Sequence, residues 1–269
     1  MMATYEEAAA TGPRAMIKPV RFILVLIAAM STQSCYFPRT AETPIPSQFY
    51  LVSEAPTDCL IVFLPGRGDS VDVFEKAGFI DAMRASATKA NALAVDAHLG
   101  YYISGQLAER VQTDVLELYK QKGYRRFLLV GTSLGGYGSL WIWDAAENWI
   151  EGAVLLAPYL GPDDVIEAVQ RSNSLAEWEE SLGYEPTEDE YAWIWLRNLL
   201  ESDRELDRRL LIAVGEMDKF RTGAGIIGDL LPESQVFLAA GAHDWQTWLE
   251  LWRAVLERVA WAEMIQVTN

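Results

Sequence analysis

Histidine and cysteine are scarce in this chain, which has two of each among 269 residues. Neither Cys35 nor Cys59 lies in a CxxC or another metal-ligand spacing. Because protein zinc sites are built mainly from these two residue types, we expect no zinc site and no other bound metal. Cys59 opens the apolar run CLIVFLPG and is predicted to be a buried structural thiol.

Basic residues are also few, with 22 Lys and Arg against 38 Asp and Glu and a formal net charge of -16. They form no dense cluster, so we exclude a nucleic-acid backbone and an anionic lipid surface as the main partner. The composition, 51% hydrophobic and 22% charged, is typical of a globular chain. The length suits a single α/β domain.

The N-terminal residues have the pattern of a targeting signal. Residues 16–35 run from a basic start through nine apolar residues, 22–30, to small and polar residues. Nine apolar residues are too few to span a bilayer, which needs about 20, but they suit a secretory signal. We therefore predict that the protein is exported and is either periplasmic or anchored to a membrane by its N-terminus. Translation could begin at Met1 or at Met16, since the preceding residues are acidic.

Cys35 gives this signal a second interpretation. Small residues followed by that cysteine resemble a bacterial lipoprotein signal, in which the cysteine carries a lipid and tethers the protein to a membrane. Thr32 and Gln33 depart from the usual pattern. The alternative is an N-terminal helix packed on the domain of a cytoplasmic protein. In either case residues 1–35 are an extension preceding the main domain.

Residues 36–57 are rich in proline, and we predict an extended linker there that could include a short edge strand. After this linker, apolar runs alternate with helical patterns. We expect strands at 59–66, 91–98, 125–131, 150–158, 208–218 and 234–244, and helices at 72–90, 106–123, 135–149 and 245–264. The apolar runs lack strict alternation, as strands covered on both faces do. We predict an α/β fold over 58–269 with a doubly wound, mostly parallel sheet.

Two helical segments carry more specific expectations. In the helix at 106–123, one face is predicted to carry Leu107, Val111, Val115 and Leu118, with Gly123 as the stop. Residues 162–207 form an acidic helical insertion between the fourth and fifth predicted strands. Its tryptophans, Trp178, Trp193 and Trp195, could serve packing or could present a ligand platform.

A GTSLG segment, 131–135, stands between a predicted buried strand and a predicted helix. At such a turn Ser133 would be forced to a positive φ, which exposes its hydroxyl above the sheet. Gly131 and Gly135 would leave room for the close approach of strand and helix. The context therefore favours a nucleophilic serine, and the alternative is a glycine-rich turn without chemical function.

A serine nucleophile needs a base within hydrogen-bond reach, and the chain offers only His98 and His243. His243 follows the last predicted strand, which suits the order nucleophile, acid, histidine. Asp218, on the loop after the preceding strand, is the predicted acid, with Glu216 on the same loop as the second choice. The acid would orient the imidazole and stabilise the imidazolium.

Acyl transfer also requires backbone N–H donors for the oxyanion. We predict one from Leu134, the residue after the nucleophile, and the other from Arg67 in the loop FLPGRGDS. The alternative is that PGRGD is simply a good turn sequence. His98 and Tyr102, after the second predicted core strand, could bind substrate, or His98 could merely satisfy a local hydrogen bond.

Four segments together resemble the α/β-hydrolases, specifically compact serine esterases and thioesterases of the carboxylesterase type. LPGRGDS is similar to their HGxGDS oxyanion loop, GTSLGG to their nucleophile elbow, GEMD to their acid loop and GAHDW to their histidine loop. Pro65 replaces the usual histidine of the first motif. The resemblance covers residues 58–269 in the family's order, and it implies that the insertion at 162–207 is a lid over the acyl pocket.

These features favour a serine hydrolase acting on a small-molecule carboxylic ester or thioester through an acyl-enzyme. An acyltransferase would use the same groups, and a catalytically silent, surface-tethered binding protein or a peptidase are further alternatives. No cofactor is indicated, because GTSLGGYG lacks a Walker lysine and the elbow already accounts for its glycines. The sequence leaves the natural substrate and the oligomeric state open.

Overall fold

The computed structural model describes residues 39–86, 88–201, 209–258 and 261. The predicted signal segment, Cys35 and the two candidate start residues lie outside these ranges. Within them, no helix is both long enough and apolar enough to cross a membrane.

The described part of the chain forms a seven-stranded, mostly parallel sheet with the order β1-β3-β2-β4-β5-β6-β7. The strands are β1 (Ser47–Tyr50), β2 (Cys59–Leu64), β3 (Asn91–Val95), β4 (Arg126–Thr132), β5 (Ile150–Leu156), β6 (Leu210–Gly215) and β7 (Val236–Ala239). Only β1 runs antiparallel to its neighbour among these strands. Every residue of β2, β3 and β6 is buried, as the unbroken apolar runs predicted. The predicted α/β fold is confirmed.

The order of the strands marks where a ligand site belongs. From β2 the chain passes to β3 on one side, whereas from β4 it passes to β5 on the other side. The loops that leave the carboxyl ends of β2 and β4 therefore diverge and open a crevice between them. In open α/β sheets ligands bind at such a crevice, and the two loops carry the predicted oxyanion segment and Ser133.

Helices connect these strands and pack against the sheet. They are α1 (Val73–Lys76), α2 (Phe79–Ala85), α3 (Leu99–Ile103), α4 (Leu107–Val111), α5 (Leu118–Gln121), α6 (Leu134–Ala145), α7 (Asp163–Arg171), α8 (Leu175–Ser181), α9 (Glu188–Glu201), α10 (Arg221–Leu230) and α11 (Trp245–Leu256). The helix predicted at 72–90 is instead two short helices, because Gly78 adopts a left-handed conformation with φ 85° between them.

Five predicted strands end earlier than expected, and β2 (at Leu64) and β5 (at Leu156) do so by two residues. β3 stops at Val95, β6 at Gly215 and β7 at Ala239. The residues beyond them are loops at the carboxyl edge of the sheet, and these loops carry His98, Asp218 and His243. The residues beyond these strands are mostly small or polar, so the ladder ends where the apolar run ends and the predicted bounds were too long.

Residues 39–57, expected as part of a linker, are packed on the domain. β1 pairs with β3 from Ser47↔Val95 to Tyr50↔Ala92, and both Ile45 and Tyr50 are buried. Asp114 fixes the approach to β1 by accepting a hydrogen bond from the Ile45 N–H at 2.9 Å. The expected edge strand is therefore present, and the described stretch is not a free linker.

The helix predicted at 106–123 contains a π-helical turn, Gln112–Glu117, between α4 and α5. Because a π turn holds one extra residue, the side chains after it shift around the helix axis. Leu116 and Tyr119 are buried, whereas Leu118 is 42% exposed. The expectation that Leu118 shares the buried face of Leu107 was therefore wrong.

The insertion between β5 and β6 is helical, as predicted, with α7, α8 and α9 in its described part. Trp178, Trp193 and Trp195 are all buried. The Trp193 indole N–H donates to the Leu160 carbonyl at 2.8 Å, and the Trp195 ring packs on that of Trp143. These contacts match the packing alternative for the three tryptophans.

Cys59 is a fully buried free thiol at the start of β2, as predicted. Burial raises its pKa to about 12, so the thiol remains protonated at neutral pH. Since the thiolate is the reactive form of cysteine, Cys59 is a packing residue.

The π-helical turn yields a prediction that separates two neighbouring leucines. Leu116→Ala should lower the free energy of unfolding by about 2–5 kcal/mol, because it empties a buried site. Leu118→Ala should change it by no more than about 0.5 kcal/mol, because the side chain is exposed. Urea unfolding of the two variants measures both values. A larger loss of stability in Leu118→Ala than in Leu116→Ala would indicate a regular α-helical register and would contradict the π turn.

Candidate active site

Three loops at the carboxyl edge of the sheet bring Ser133, Asp218 and His243 together. Ser133 follows β4, Asp218 follows β6 and His243 follows β7. Because these strands are parallel, their carboxyl ends lie at one edge, although Ser133 and His243 are 110 residues apart in the chain.

Ser133 lies on a strained turn between β4 and α6, with φ 52° and ψ -117°. Its N–H donates to the Leu156 carbonyl at 2.9 Å, and its own carbonyl accepts from the N–H of Tyr159 at 3.0 Å. A non-glycine residue at positive φ costs roughly 1–3 kcal/mol and persists only where its surroundings hold it. Here hydrogen bonds with Leu156, the last residue of β5, and with Tyr159 hold the turn, and its positive φ agrees with the φ predicted from the sequence.

The two glycines beside Ser133 are required by space. A Cβ on Gly131 would lie 2.2 Å from the Gly135 carbonyl oxygen, and a Cβ on Gly135 would lie 2.0 Å from the Leu64 carbonyl oxygen. Both obstructions are backbone atoms, which no side-chain rotation can remove. Glycine at position 135 therefore lets the first turn of α6 approach the end of β2, and glycine at position 131 lets β4 approach the same turn.

The three polar side chains form one hydrogen-bonded row. His243 Nε2 lies 3.0 Å from Ser133 Oγ, and His243 Nδ1 lies 2.9 Å from each carboxylate oxygen of Asp218. The Asp218 side chain is fully buried, and its Oδ1 also accepts the Phe220 backbone N–H at 2.8 Å. A buried carboxylate beside Nδ1 favours the tautomer with hydrogen on Nδ1, which leaves the Nε2 lone pair facing the serine hydroxyl.

Glu216, the second choice for the acid, has a different environment. It is exposed, and its backbone N–H donates to the Ala239 carbonyl at 2.9 Å. The sequence offered two candidate acids, and the structure places Asp218, and not Glu216, against the imidazole of His243.

Close backbone approach and a helix cap hold the His243 loop. Gly241 has φ 145°, and a Cβ there would lie 2.1 Å from the Thr247 Oγ1 atom. The next helix begins directly after His243, where Asp244 caps α11 by accepting the Thr247 N–H at 2.9 Å. This hydrogen bond from Thr247 lowers the pKa of Asp244, so the cap stays charged at neutral pH.

Sequence reasoning missed the aromatic side chains around the imidazole. The rings of Phe220 and Trp248 approach the His243 ring edge-on, with centroids 4.8 and 4.7 Å away. They restrict the rotation of the imidazole and shield its hydrogen bond to Asp218 from water. The available signals were weak, namely an aromatic residue two positions after the acid and another one turn into the last helix.

The predicted oxyanion loop lies against Ser133. The Asp69 N–H donates to the Gly66 carbonyl at 3.2 Å, and Gly68 has φ 89°, which gives a tight turn with Arg67 and Gly68 at its centre. A Cβ on Gly66 would lie 3.3 Å from Ser133 Cβ. The Arg67 side chain is exposed. Leu134, the other predicted donor, is the first residue of α6, where backbone N–H groups have no intrahelical acceptor.

The two predicted substrate-binding residues occupy different positions. His98 is buried and caps α3, with its Nδ1 atom accepting the Gly100 N–H at 3.1 Å, and it is not part of the triad row. This is the local hydrogen bond weighed as its alternative role. The Tyr102 hydroxyl donates to the Leu134 carbonyl at 3.1 Å, so this side chain supports the elbow. A substrate contact by either residue stays a prediction.

The sequence matches no protein-family model and no curated protein. Solved structures do resemble the fold. The S-formylglutathione hydrolase FrmB from Staphylococcus aureus is 15% identical, with 85% of this chain and 99% of that chain covered and a TM-score of 0.54. FphF, a fluorophosphonate-binding serine hydrolase from the same organism, is 14% identical, with coverages of 86% and 97% and a TM-score of 0.52.

A ferulic acid esterase is 12% identical, with 82% of this chain and 100% of that chain covered and a TM-score of 0.51. At such low identity these similarities establish the architecture alone. The chain has the α/β-hydrolase fold, in agreement with the fold that the four sequence motifs implied.

The contact at Gly135 predicts a large loss of stability on a minimal substitution. Gly135→Ala should cost about 3 kcal/mol or more, because the added methyl group meets the backbone of β2. Gly225→Ala, inside α10, is the matched control. Its methyl group would meet only the movable end of the Arg221 side chain, at 2.7 Å, and alanine favours the helix by up to about 1 kcal/mol. Thermal unfolding of both variants tests the pair, and equal effects would contradict the close approach at the elbow.

Proposed function

We propose that this protein is a serine hydrolase that cleaves a carboxylic ester or thioester through an acyl-enzyme on Ser133. The observation that carries the proposal is the continuous row from Ser133 through His243 to Asp218, in which every contact is between 2.9 and 3.0 Å. A serine hydroxyl is a weak nucleophile alone and becomes effective when a base within hydrogen-bond distance takes its proton.

In the proposed reaction the Ser133 oxygen attacks the carbonyl carbon while His243 Nε2 takes the hydroxyl proton. The imidazolium then gives that proton to the leaving alcohol or thiol, and the acyl group stays on the serine. Water repeats the cycle with His243 as base and releases the carboxylic acid. Asp218 keeps its negative charge throughout and stabilises the imidazolium, and its complete burial strengthens that interaction.

The oxyanion formed in each step would be stabilised by the backbone N–H groups of Leu134 and Arg67. The position of the Gly66–Asp69 turn beside Ser133 supports the second donor. The Leu134 N–H lies at the start of α6, and this position would stabilise the oxyanion further because the N-terminal end of a helix favours negative charge.

The similar solved structures support this reaction class by analogy of fold. They include proteins named as an S-formylglutathione hydrolase, a fluorophosphonate-binding serine hydrolase and a ferulic acid esterase. We propose the broad class, ester or thioester hydrolysis, and no individual substrate. Acyl transfer to an alcohol remains the second candidate, because it differs only in the acceptor that attacks the acyl-enzyme.

We further propose that α7, α8 and α9 act as a lid over the acyl pocket, and that the N-terminal signal directs the protein out of the cytoplasm. The lid proposal is supported by the position of these helices directly after β5, whose end holds the Ser133 turn. The second proposal is supported by the basic, apolar and small-residue pattern of residues 16–35.

The first test is hydrolysis of p-nitrophenyl esters from acetate to palmitate by the wild type and by Ser133→Ala. We expect turnover in the wild type and a loss of at least about 10³-fold in the variant. A fluorophosphonate probe should label the wild type alone. If the wild type shows neither turnover nor labelling, the hydrolase proposal is wrong and the silent binding protein takes its place.

A second test concerns the acid. Asp218→Asn should lower kcat by about 10⁴-fold, because an amide facing Nδ1 cannot favour the productive tautomer. Glu216→Gln, a matched change on the same loop, should leave kcat within about twofold, because that side chain is exposed. Steady-state kinetics at neutral pH compares them. Similar losses of kcat in both variants would contradict the assignment of Asp218 as the acid.

A further inference from the structure

The structure contains a second strained residue, which the triad does not explain. Within the described ranges, two residues other than glycine have a positive φ, namely Ser133 at 52° and Ala157 at 45°. Ala157 directly follows β5 and is fully buried. A residue that carries a β-carbon adopts this conformation only where its surroundings hold it there.

The turn at Ala157 binds both polar backbone groups of Ser133. The Leu156 carbonyl accepts the Ser133 N–H at 2.9 Å, and the Tyr159 N–H donates to the Ser133 carbonyl at 3.0 Å. In an extended chain Tyr159 would lie about 10 Å beyond Leu156, which is too far for both to reach one serine. The reversal of the chain at Ala157 therefore makes the two hydrogen bonds possible.

Neighbouring elements hold this turn from two sides. The Ala157 N–H donates to the carbonyl of Ala213, a residue of β6, at 2.7 Å. Pro158, the next residue, has no N–H that would need a partner. It packs on the first turn of α6, where a Cβ on Gly136 would lie 2.7 Å from the Pro158 Cβ atom. The left-handed conformation of Ala157 is thus fixed between β6 and α6.

The Ser133 carbonyl and the Leu134 N–H belong to one trans peptide group, which is planar, so the two bonds point in opposite directions. The N–H groups of Tyr159 and Gly136 each lie 3.0 Å from the Ser133 carbonyl oxygen and fix its direction. They therefore also fix the direction of the Leu134 N–H, which we propose as an oxyanion donor. Hydrogen bonds to the carbonyl further polarise the peptide group and make its N–H a stronger donor.

We propose that Ala157 and Tyr159 are positioning residues of this active site. Ala157 reverses the chain, and the Tyr159 backbone N–H then holds the Ser133–Leu134 peptide group with its N–H directed at the oxyanion. The inference rests on the proposed hydrolase function, and it assigns the second strained turn as the support of an oxyanion donor.

The role of the Tyr159 N–H is tested by changing one backbone amide to an ester. Replacing Tyr159 by the α-hydroxy acid analogue of tyrosine, through suppression of an amber codon, removes the N–H and keeps the phenol ring. We expect kcat for p-nitrophenyl acetate to fall by about tenfold with KM within about twofold of the wild-type value, because an oxyanion donor acts in the transition state. Fluorophosphonate labelling should slow by a similar factor.

The same replacement at Tyr124 is the matched control. The Tyr124 N–H donates to the Tyr119 carbonyl at 3.1 Å, just beyond the end of α5. The control therefore removes one backbone hydrogen bond of similar length that does not involve Ser133. We expect its thermal stability to fall while its kcat stays within about twofold of the wild-type value.

The conformation of Ala157 is tested with two further variants, Ala157→Gly and Ala157→Val. Glycine adopts a positive φ without a steric penalty, whereas a β-branched residue rarely does so. We expect kcat in Ala157→Val to be at least about tenfold below kcat in Ala157→Gly, because valine forces the turn out of its left-handed conformation. Thermal unfolding establishes whether each variant is folded, and if Ala157→Val is not, the two ester variants decide.

Equal kcat values in the Tyr159 and Tyr124 ester variants would overturn the inference, and so would a loss at Tyr159 that is confined to KM. Equal kcat values in the two folded Ala157 variants would overturn the role of its left-handed conformation. If the wild type itself is neither active nor labelled, the hydrolase function fails, and the inference fails with it.

Discussion

The contact on which the rest of the site depends is the close approach of α6 to the end of β2. It requires glycine at position 135, where a β-carbon would collide with the backbone of Leu64, and the adjoining approach of β4 to α6 requires glycine at position 131. Ser133 is thereby forced to a positive φ and lifted above the carboxyl edge of the sheet. The same approach brings the loop after β2 against the serine, so one steric constraint positions both the proposed nucleophile and the proposed oxyanion donors.

The electrostatics of the site follow from where the carboxylates lie in this frame. Asp218 is fully buried against the imidazole, whereas Glu216, two residues earlier, faces solvent. A buried carboxylate has a strong influence on its partner because little water screens it.

Much of this arrangement could be predicted from the sequence. The unbroken apolar runs indicated buried parallel strands, and parallel strands place their following loops at one edge, which is why the positions of Ser133, Asp218 and His243 could be anticipated. Features that depend on tertiary packing could not be predicted from the sequence. The π turn that exposes Leu118 and buries Leu116 has no local signature, and the ring contact of Phe220 with His243 joins two different loops.

In the proposed mechanism, Ser133 carries the acyl group during the reaction. Intact-protein mass spectrometry of the wild type, quenched in acid within the first turnovers of a p-nitrophenyl ester, tests it most directly. If Ser133 forms the acyl-enzyme, we expect one added acyl mass per chain, located by peptide mapping to the segment that contains Ser133, together with a burst of one equivalent of p-nitrophenol. Turnover without any acylated peptide, or an acyl group on another residue, would contradict it.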